Sequence, residues 1–184
     1  MYNYSSLTEL YLCNSVKDFF VFINIKMKGD IFQIVLSNRL EADFSGSLLN
    51  TYRVLRTVNP SPYMFYFSSS DMEVAGASPE TLVKLEDGIL HTFPLARTLS
   101  GAPKIMACQL INDLEKTSGV IYGGAIGYID FTGNMDTCIA IRIAYKKNNK
   151  VFVRSGAGIV ADSVPEKEYT ECINKAAAVV NALK

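Results

Sequence analysis

Residues 121–161 read IYGGAIGYIDFTGNMDTCIAIRIAYKKNNKVFVRSGAGIVA, and their pattern determines the predicted fold class. Three segments rich in β-branched and aromatic residues, 121–131, 135–147 and 150–161, are typical of strands. Thr-Gly-Asn and Asn-Asn separate them, and both sequences are typical of tight turns. Short turns join antiparallel neighbours, because a parallel connection needs a dozen or more residues. The stretch therefore predicts consecutive antiparallel strands.

The rest of the chain adds further strands and three helices. One strand is predicted within 29–44, and four short strands between 63 and 96, the last two joined by the hairpin dipeptide Asp87-Gly88. Apolar residues recur at helical spacing in three segments, which are 47–58, 101–116 (apolar at 106, 110 and 114) and 164–183. Antiparallel strands with separate helices indicate an α+β fold.

The composition excludes several classes of protein. The chain has 184 residues, for which one domain is the default, and Lys plus Arg equals Asp plus Glu at 18 each, which argues against nucleic-acid binding. Its longest apolar run, 19–25, is too short to span a membrane, and the first ten residues lack the pattern of a signal peptide. The four cysteines form no C-x-x-C pair, and the single histidine, His91, is a poor start for a zinc site. We expect a reduced, cytoplasmic protein.

The last predicted helix carries a cluster of charged residues at its start. Ser163 is expected to cap the helix, with Glu166 completing a capping box. Helical spacing places Glu168, Glu171 and Lys175 on one narrow arc beside the apolar face. Paired carboxylates suit a hard divalent ion such as Mg²⁺. The alternative is a solvated acidic face in which Glu171 pairs with Lys175.

Three other features could carry chemistry. Alternation along 137–145 places Ile139, Ile141 and Ile143 on one strand face and Arg142, between two alanines, on the other. That guanidinium could grip a carboxylate, or it could be an exposed arginine on the wet face of a sheet. The segment 155–158 (SGAG) could aim backbone N–H groups at an anion, or form a tight turn. Glu80 follows Pro79 at a strand end, where it is either a functional group or a surface glutamate.

These stretches together resemble a known family, the chorismate-utilising enzymes, and within it the anthranilate synthase component I group. The resemblance covers residues 29–184, as a chorismate-binding domain, and leaves 1–28 as an unmatched N-terminal segment. Its most specific parts are YGGAIGYIDFTGNMDTCIAIR (122–142) and GAGIVADSVPEKEY (156–169). Gln33 stands where the isochorismate and salicylate synthases of the family place a lysine base, which favours addition of an amine over addition of water.

The resemblance implies a Mg²⁺-dependent lyase that converts chorismate and ammonia to anthranilate and pyruvate, in tryptophan biosynthesis. A glutamine amidotransferase subunit would supply the ammonia. The implied general acid is Glu80, and the implied metal ligands are Glu168 and Glu171. The implied substrate contacts are Thr98, Tyr122, Arg142, Gly156, Ala157, Gly158 and Lys175. The implied inhibitor contacts are Pro62, Tyr63 and Met64.

The chain departs from the family pattern at one join. Where the family continues from a segment like 94–96 through a long stretch before LSGAP, this chain has Arg97 and Thr98 only. We therefore predict an internal deletion near 96–98 that removes an opposing metal carboxylate and a catalytic histidine. His91 cannot replace that histidine, because it precedes the join. Impaired catalysis is expected, with a non-catalytic chorismate-binding remnant or an aminodeoxychorismate synthase component I-like enzyme as alternatives. Self-association into a homo-oligomer would cover the apolar surface left exposed.

Overall fold

The structure is a computed structural model that describes residues 11–12, 31–92, 99–115 and 121–184, with the side chains of 11, 12 and 114 excepted. The helices of these ranges are α1 (Leu48–Val58), α2 (Lys104–Leu114) and α3 (Pro165–Leu183). The strands are β1 (Tyr11–Leu12), β2 (Gln33–Asp43), β3 (Tyr63–Ser68), β4 (Met72–Ser78), β5 (Thr81–Glu86), β6 (Ile89–Thr92), β7 (Gly101–Ala102), β8 (Ala125–Ile129), β9 (Met135–Ile139), β10 (Ile143–Lys147) and β11 (Lys150–Ile159). The predicted α+β class is confirmed.

The larger sheet has the order β1-β2-β11-β10-β4-β3, with β7 pairing to the free edge of β2, and all of its pairs are antiparallel. Its longest pair is β2 with β11, running from Asp43 opposite Lys150 to Ile34 opposite Ile159. Side chains alternate between the two faces of a strand, so Ile34 and Leu36 share one face with Leu40. That face lies under the helices, and at residues 35 and 37 the opposite face is buried as well.

The helices form the core against this face. Residues of α1 and α3 pack with Leu40 and Ala42 of β2 and Val151 and Val153 of β11. Towards the other end of the same strands, Ala107 of α2 and residues of α3 pack on Ile34, Leu36 and Ala157. Helix α3 therefore lies along β11, and this packing decides which of its side chains reach the strand edge. No helix within the described ranges is long and apolar enough to cross a membrane.

The smaller sheet has the order β6-β5-β9-β8, and its hairpins follow the predicted turns. Asp87 and Gly88 both have positive φ, at 51° and 77°, as expected for a type I′ turn. Several of its large apolar side chains are exposed, and these include Ile89, Leu90, Tyr128 and Ile129.

The prediction of one continuous strand over 135–147 is wrong. β9 ends at Ile139 in the smaller sheet and β10 begins at Ile143 in the larger one, with Arg142 between them at a φ of 53°. The predicted alternation of faces through Arg142 fails for the same reason, since Ile139, Ala140 and Ile143 are all buried. Burial of both halves in different sheets outweighs the regular pattern of the sequence.

The buried face of α2 also differs from the prediction. Met106 is 40% exposed, whereas Ala107 is fully buried and Leu110 and Ile111 pack beside it. The face is rotated because β7 holds the residues before the helix against the edge of β2. The side chain of residue 114 and the predicted last residue of this helix, 116, lie outside the described residues.

The predicted capping box at the start of α3 is wrong. Val164 is the N-cap and supplies no side-chain cap. Ser163 instead uses its hydroxyl oxygen to accept the N–H of Val160 at 3.0 Å. Pro165 occupies the first turn, and Glu166 is exposed there, where a carboxylate interacts favourably with the helix dipole.

Candidate functional site

The candidate site lies along a strand edge that no described strand covers. β10 pairs with β11 only as far as Ile143 opposite Arg154, whereas β11 continues to Ile159. Residues 155–159 are therefore paired on one side only, with β2, among the parts of the chain that the structure describes. The proposed tight turn at 155–158 is wrong, because this segment is regular strand.

The hydrogen bonds of β2 show which backbone groups face the open edge. Val35 donates its N–H to the carbonyl oxygen of Ser100 at 2.9 Å, and Ser37 donates its N–H to a carboxylate that follows α2, so both point away from β11. In this antiparallel ladder, Val35 opposite Gly158 and Ser37 opposite Gly156 are therefore non-hydrogen-bonded pairs. The N–H and C=O groups of both glycines consequently face the open edge, where N–H groups can bind an anion.

Lys175 of α3 reaches the same edge. Its ammonium donates to the carbonyl oxygen of Gly156 at 3.2 Å, which agrees with the direction derived from the ladder. The same Nζ lies 2.5 Å from Oε1 of Glu171, one turn earlier on the helix. The predicted alternative, pairing of Glu171 with Lys175, is therefore the arrangement that the structure contains.

Arg142 and the charged face of α3 line one groove. The groove has a volume of about 780 Å³ and is open to solvent. Its lining includes Arg142, Glu171 and Lys175, together with Glu166 and Lys167. The interruption of the strand between Ile139 and Ile143 places Arg142 in this groove beside α3, although the two are separate in sequence. An arginine, a lysine and outward backbone N–H groups together suit a small anion with more than one acidic group.

Tyr122 packs against the opposite side of the glycine segment. A Cβ placed on Gly156 would lie 2.7 Å from the Tyr122 hydroxyl and 2.8 Å from the carbonyl oxygen of Leu36, so only glycine fits there. Burial raises the pKa of the Tyr122 phenol well above its usual range, which keeps it protonated and able to donate. The amide of Gln33 lies beside Gly158 in the same way, 3.3 Å from a Cβ placed there.

A second cavity, of about 430 Å³, holds a buried charge network that the sequence analysis missed. Arg154 donates from Nε to the Ser37 hydroxyl oxygen at 2.6 Å, and its Nη2 pairs with Glu115. The Ser37 hydroxyl donates to Glu115 Oε1 at 2.7 Å. The position of Arg154 in an apolar strand could have indicated a buried acidic partner, but nothing in the sequence pattern identifies Glu115, which follows α2, as that partner.

The remaining predicted site residues lie elsewhere. Glu80 sits between β4 and β5, lines neither cavity, and uses its carbonyl oxygen to accept the N–H of Ile139 at 3.0 Å. Tyr63 bonds through its hydroxyl to Thr81 and Asp136, at 2.8 and 2.7 Å. The other two predicted inhibitor contacts, Pro62 and Met64, are exposed and half-buried respectively, and Thr98 lies outside the described residues.

The described residues do not by themselves fit a resident Mg²⁺. Glu168 and Glu171 are three residues apart on α3, but the carboxylate of Glu171 is paired with Lys175. Within the described ranges, no group of three or more His, Cys, Asp or Glu side chains could hold a metal ion. Mg²⁺ takes six oxygen ligands, of which the protein usually supplies one or two carboxylates and water most of the others; here one of the two carboxylates is already engaged with Lys175.

Comparison with known proteins identifies the family. The family model for chorismate binding enzymes matches residues 22–100 and 96–181. The chain belongs to the chorismate-binding enzyme family. Anthranilate synthase component 1 from Acetivibrio thermocellus is 34% identical over 246 residues, covering 85% of this chain and 50% of that protein. The protein of the same name from Aquifex aeolicus is also 34% identical, with the same coverage.

Solved structures agree with this membership. Anthranilate synthase component I from Streptococcus pneumoniae superposes with a TM-score of 0.83 at 29% identity, covering 94% of this chain and 60% of that one. The menaquinone-specific isochorismate synthase MenF from Escherichia coli shares the fold, with a TM-score of 0.79 at 17% identity over 97% of this chain and 63% of that one. The chain spans about half the length of the curated relatives it matches. The two matched segments meet at residues 96–100.

Proposed function

We propose that this chain binds chorismate at the open edge of β11, as a shortened relative of anthranilate synthase component I. The observation that carries the proposal is the meeting of Lys175 with the glycine edge of β11, beside the groove that contains Arg142. Chorismate carries two carboxylates. Lys175 and the N–H groups of Gly156 and Gly158 would hold one of them, and Arg142 the other.

The reaction that this family membership suggests is addition of ammonia to chorismate. Loss of water and pyruvate then gives anthranilate, so the enzyme class is lyase and the pathway is tryptophan biosynthesis. Of this chain's own residues, Tyr122 would donate a hydrogen bond and Glu80 is the predicted general acid. Mg²⁺ stays a prediction that the resemblance alone carries, as do the glutamine amidotransferase partner, the cytoplasmic location and the homo-oligomer.

Turnover is separated from binding by one assay. The purified chain is incubated with chorismate, Mg²⁺ and ammonium, and anthranilate fluorescence is compared with a blank lacking protein. Calorimetric binding of chorismate is measured on the same preparation. Binding with fluorescence supports a residual lyase, and binding without it supports a non-catalytic binder, which the internal deletion predicted near 96–98 favours. No binding in any buffer refutes the proposal.

Replacing Arg142 with glutamine is expected to weaken chorismate binding by about 10–100-fold, because a bidentate charge-assisted contact is lost. Glutamine keeps the Cβ and so leaves the backbone strain at the φ of 53° unchanged. Isothermal titration calorimetry gives the affinity. The matched control is Arg53→Gln, which removes an equal charge from the exposed side of α1. Equal affinities for the two variants would remove Arg142 from the site.

Replacing Gly156 with alanine is expected to cost about 1–3 kcal/mol of unfolding free energy and to abolish chorismate binding. The new methyl group would meet the Tyr122 hydroxyl and the Leu36 carbonyl oxygen inside 3 Å, so Tyr122 must leave its position. Gly158→Ala is the matched control for stability, because its Cβ meets only side-chain atoms, those of Gln33 at 3.3 Å and Val35 at 4.0 Å. Urea denaturation and calorimetry would contradict this if both alanines behaved alike.

A further inference from the structure

We propose that the ammonium of Lys175 takes the place of a divalent cation at Glu171, so that this site binds its dicarboxylate ligand without metal. The inference rests on the proposed function and concerns how the same site obtains its positive charge. It begins from a disagreement, since the resemblance predicts Mg²⁺ at Glu168 and Glu171 whereas the described residues do not provide its ligand shell.

The contacts of Lys175 are those expected of a bound cation. Its Nζ lies 2.5 Å from a carboxylate oxygen of Glu171 and 3.2 Å from the carbonyl oxygen of Gly156. These are two oxygen ligands from two different elements, α3 and β11. Lys175 lies one turn after Glu171 on α3, so helical spacing brings the two side chains together, and they are 35% and 44% exposed.

The position of Lys175 explains why the metal would be excluded. A Mg²⁺ ion at Glu171 would have to displace the ammonium of Lys175 from both of its oxygen contacts, which are on Glu171 and Gly156. The other carboxylates near Glu171 in the described part of α3 are those of Glu166, which lines the groove, and Glu168, and the three do not form a group that could hold a metal ion. Mg²⁺ keeps several of its waters when it binds carboxylates, so the few protein oxygens that it would gain do not outweigh the contacts of Lys175 that it would break.

The charge around the groove is already suited to an anion. Arg142, Lys167 and Lys175 line it, against the carboxylates of Glu166 and Glu171. One net positive charge remains at the groove without any metal. A dicarboxylate can therefore bind with Arg142 at one end and Lys175 at the other, and Glu171 holds Lys175 in position rather than touching the ligand.

The test compares chorismate binding in EDTA and in excess MgCl₂ by calorimetry. We expect the wild-type affinity to be equal in the two buffers within about twofold. Lys175→Met should weaken binding about tenfold or more in both buffers, because one charge-assisted contact is lost. Lys175→Arg should recover most of that loss, since it keeps the positive charge. A gain of about tenfold or more from Mg²⁺ in the wild type, absent in Glu171→Gln, would overturn the inference.

A metal titration without chorismate separates this inference from the proposed function. Mg²⁺ alone is added to the wild-type chain and the amide signals of α3 are followed by NMR. No saturable shift at Glu171 and Lys175 is expected, and a saturable one that Glu171→Gln removes would overturn the inference whether or not chorismate binds. Chorismate binding only in MgCl₂ overturns this inference and keeps the proposed function. Failure to bind in both buffers refutes both.

Discussion

Replacing Glu115 with alanine is expected to lower the free energy of unfolding by about 3–5 kcal/mol, because Glu115 is the charge partner of a buried arginine. The side chain of Arg154 is 4% exposed and that of Glu115 is 9% exposed. Removing the carboxylate leaves the guanidinium buried without its charge partner, and also removes the acceptor for the N–H and hydroxyl of Ser37. Urea denaturation monitored by circular dichroism gives the free energy.

Two variants show whether burial is the cause. Glu86→Ala breaks the ion pair of Glu86 with Lys84, whose charged atoms lie 2.8 Å apart. The side chain of Glu86 is 55% exposed, so no measurable change in stability is expected. The double variant Glu115→Leu with Arg154→Met removes both charges together and should recover most of the lost stability. If the single alanine at 115 were as mild as the one at 86, the network would not be holding α2 to the sheet.

Local sequence patterns were sufficient to predict two of the hairpins and the last helix. Asp87-Gly88 and Asn148-Asn149 predict tight hairpins, and all four residues have the positive φ that such turns require. The helical pattern of 164–183 also matches α3 closely. In these places the short-range preference and the packed structure agree, so the pattern alone was enough.

Long-range choices could not be predicted from the pattern. The alternation through 137–145 is regular, yet the chain leaves one sheet at Ile139 and enters another at Ile143. That choice depends on the partner strands β5 and β4, whose paired residues lie fifty or more positions earlier. The position of Arg142 depends on the same break. The pattern of a single sequence indicates the preference of each segment for helix or strand, but it does not indicate with which strand the segment will pair.

The candidate site divides in the same way. Helical spacing predicts that Glu171 and Lys175 lie on the same side of α3. In the structure both side chains line the groove that contains Arg142. The pairing of Arg154 with Glu115 joins β11 to the end of α2, and no spacing rule relates those two positions. Sequence reasoning therefore found the groups carried by one element and missed the network that fixes neighbouring elements together.

Replacing Gly101 with alanine is expected to cost about 2–5 kcal/mol, because two separate penalties act at one residue. Its φ is 139°, a conformation that side-chain-bearing residues rarely adopt and that costs about 1–2 kcal/mol. The added Cβ would also lie 2.1 Å from the carbonyl oxygen of Gln33 and 2.8 Å from the Cβ of Ala107. Such overpacking costs about 1–3 kcal/mol more, and urea denaturation measures the total.

Gly88→Ala separates the two penalties. Its φ is also positive, at 77°, but no atom lies within 4 Å of its Cβ, so only the backbone penalty of about 1–2 kcal/mol is expected. The excess loss in Gly101→Ala then measures the contact between β7 and β2. Val35 of β2, which lies opposite Gly158 in the ladder, donates its N–H to Ser100 beside β7, so a displaced β7 would disturb β2 next to the glycine edge. Gly101→Ala should therefore weaken chorismate binding while Gly88→Ala does not, and equal stability losses would mean that β7 can separate from β2 without consequence.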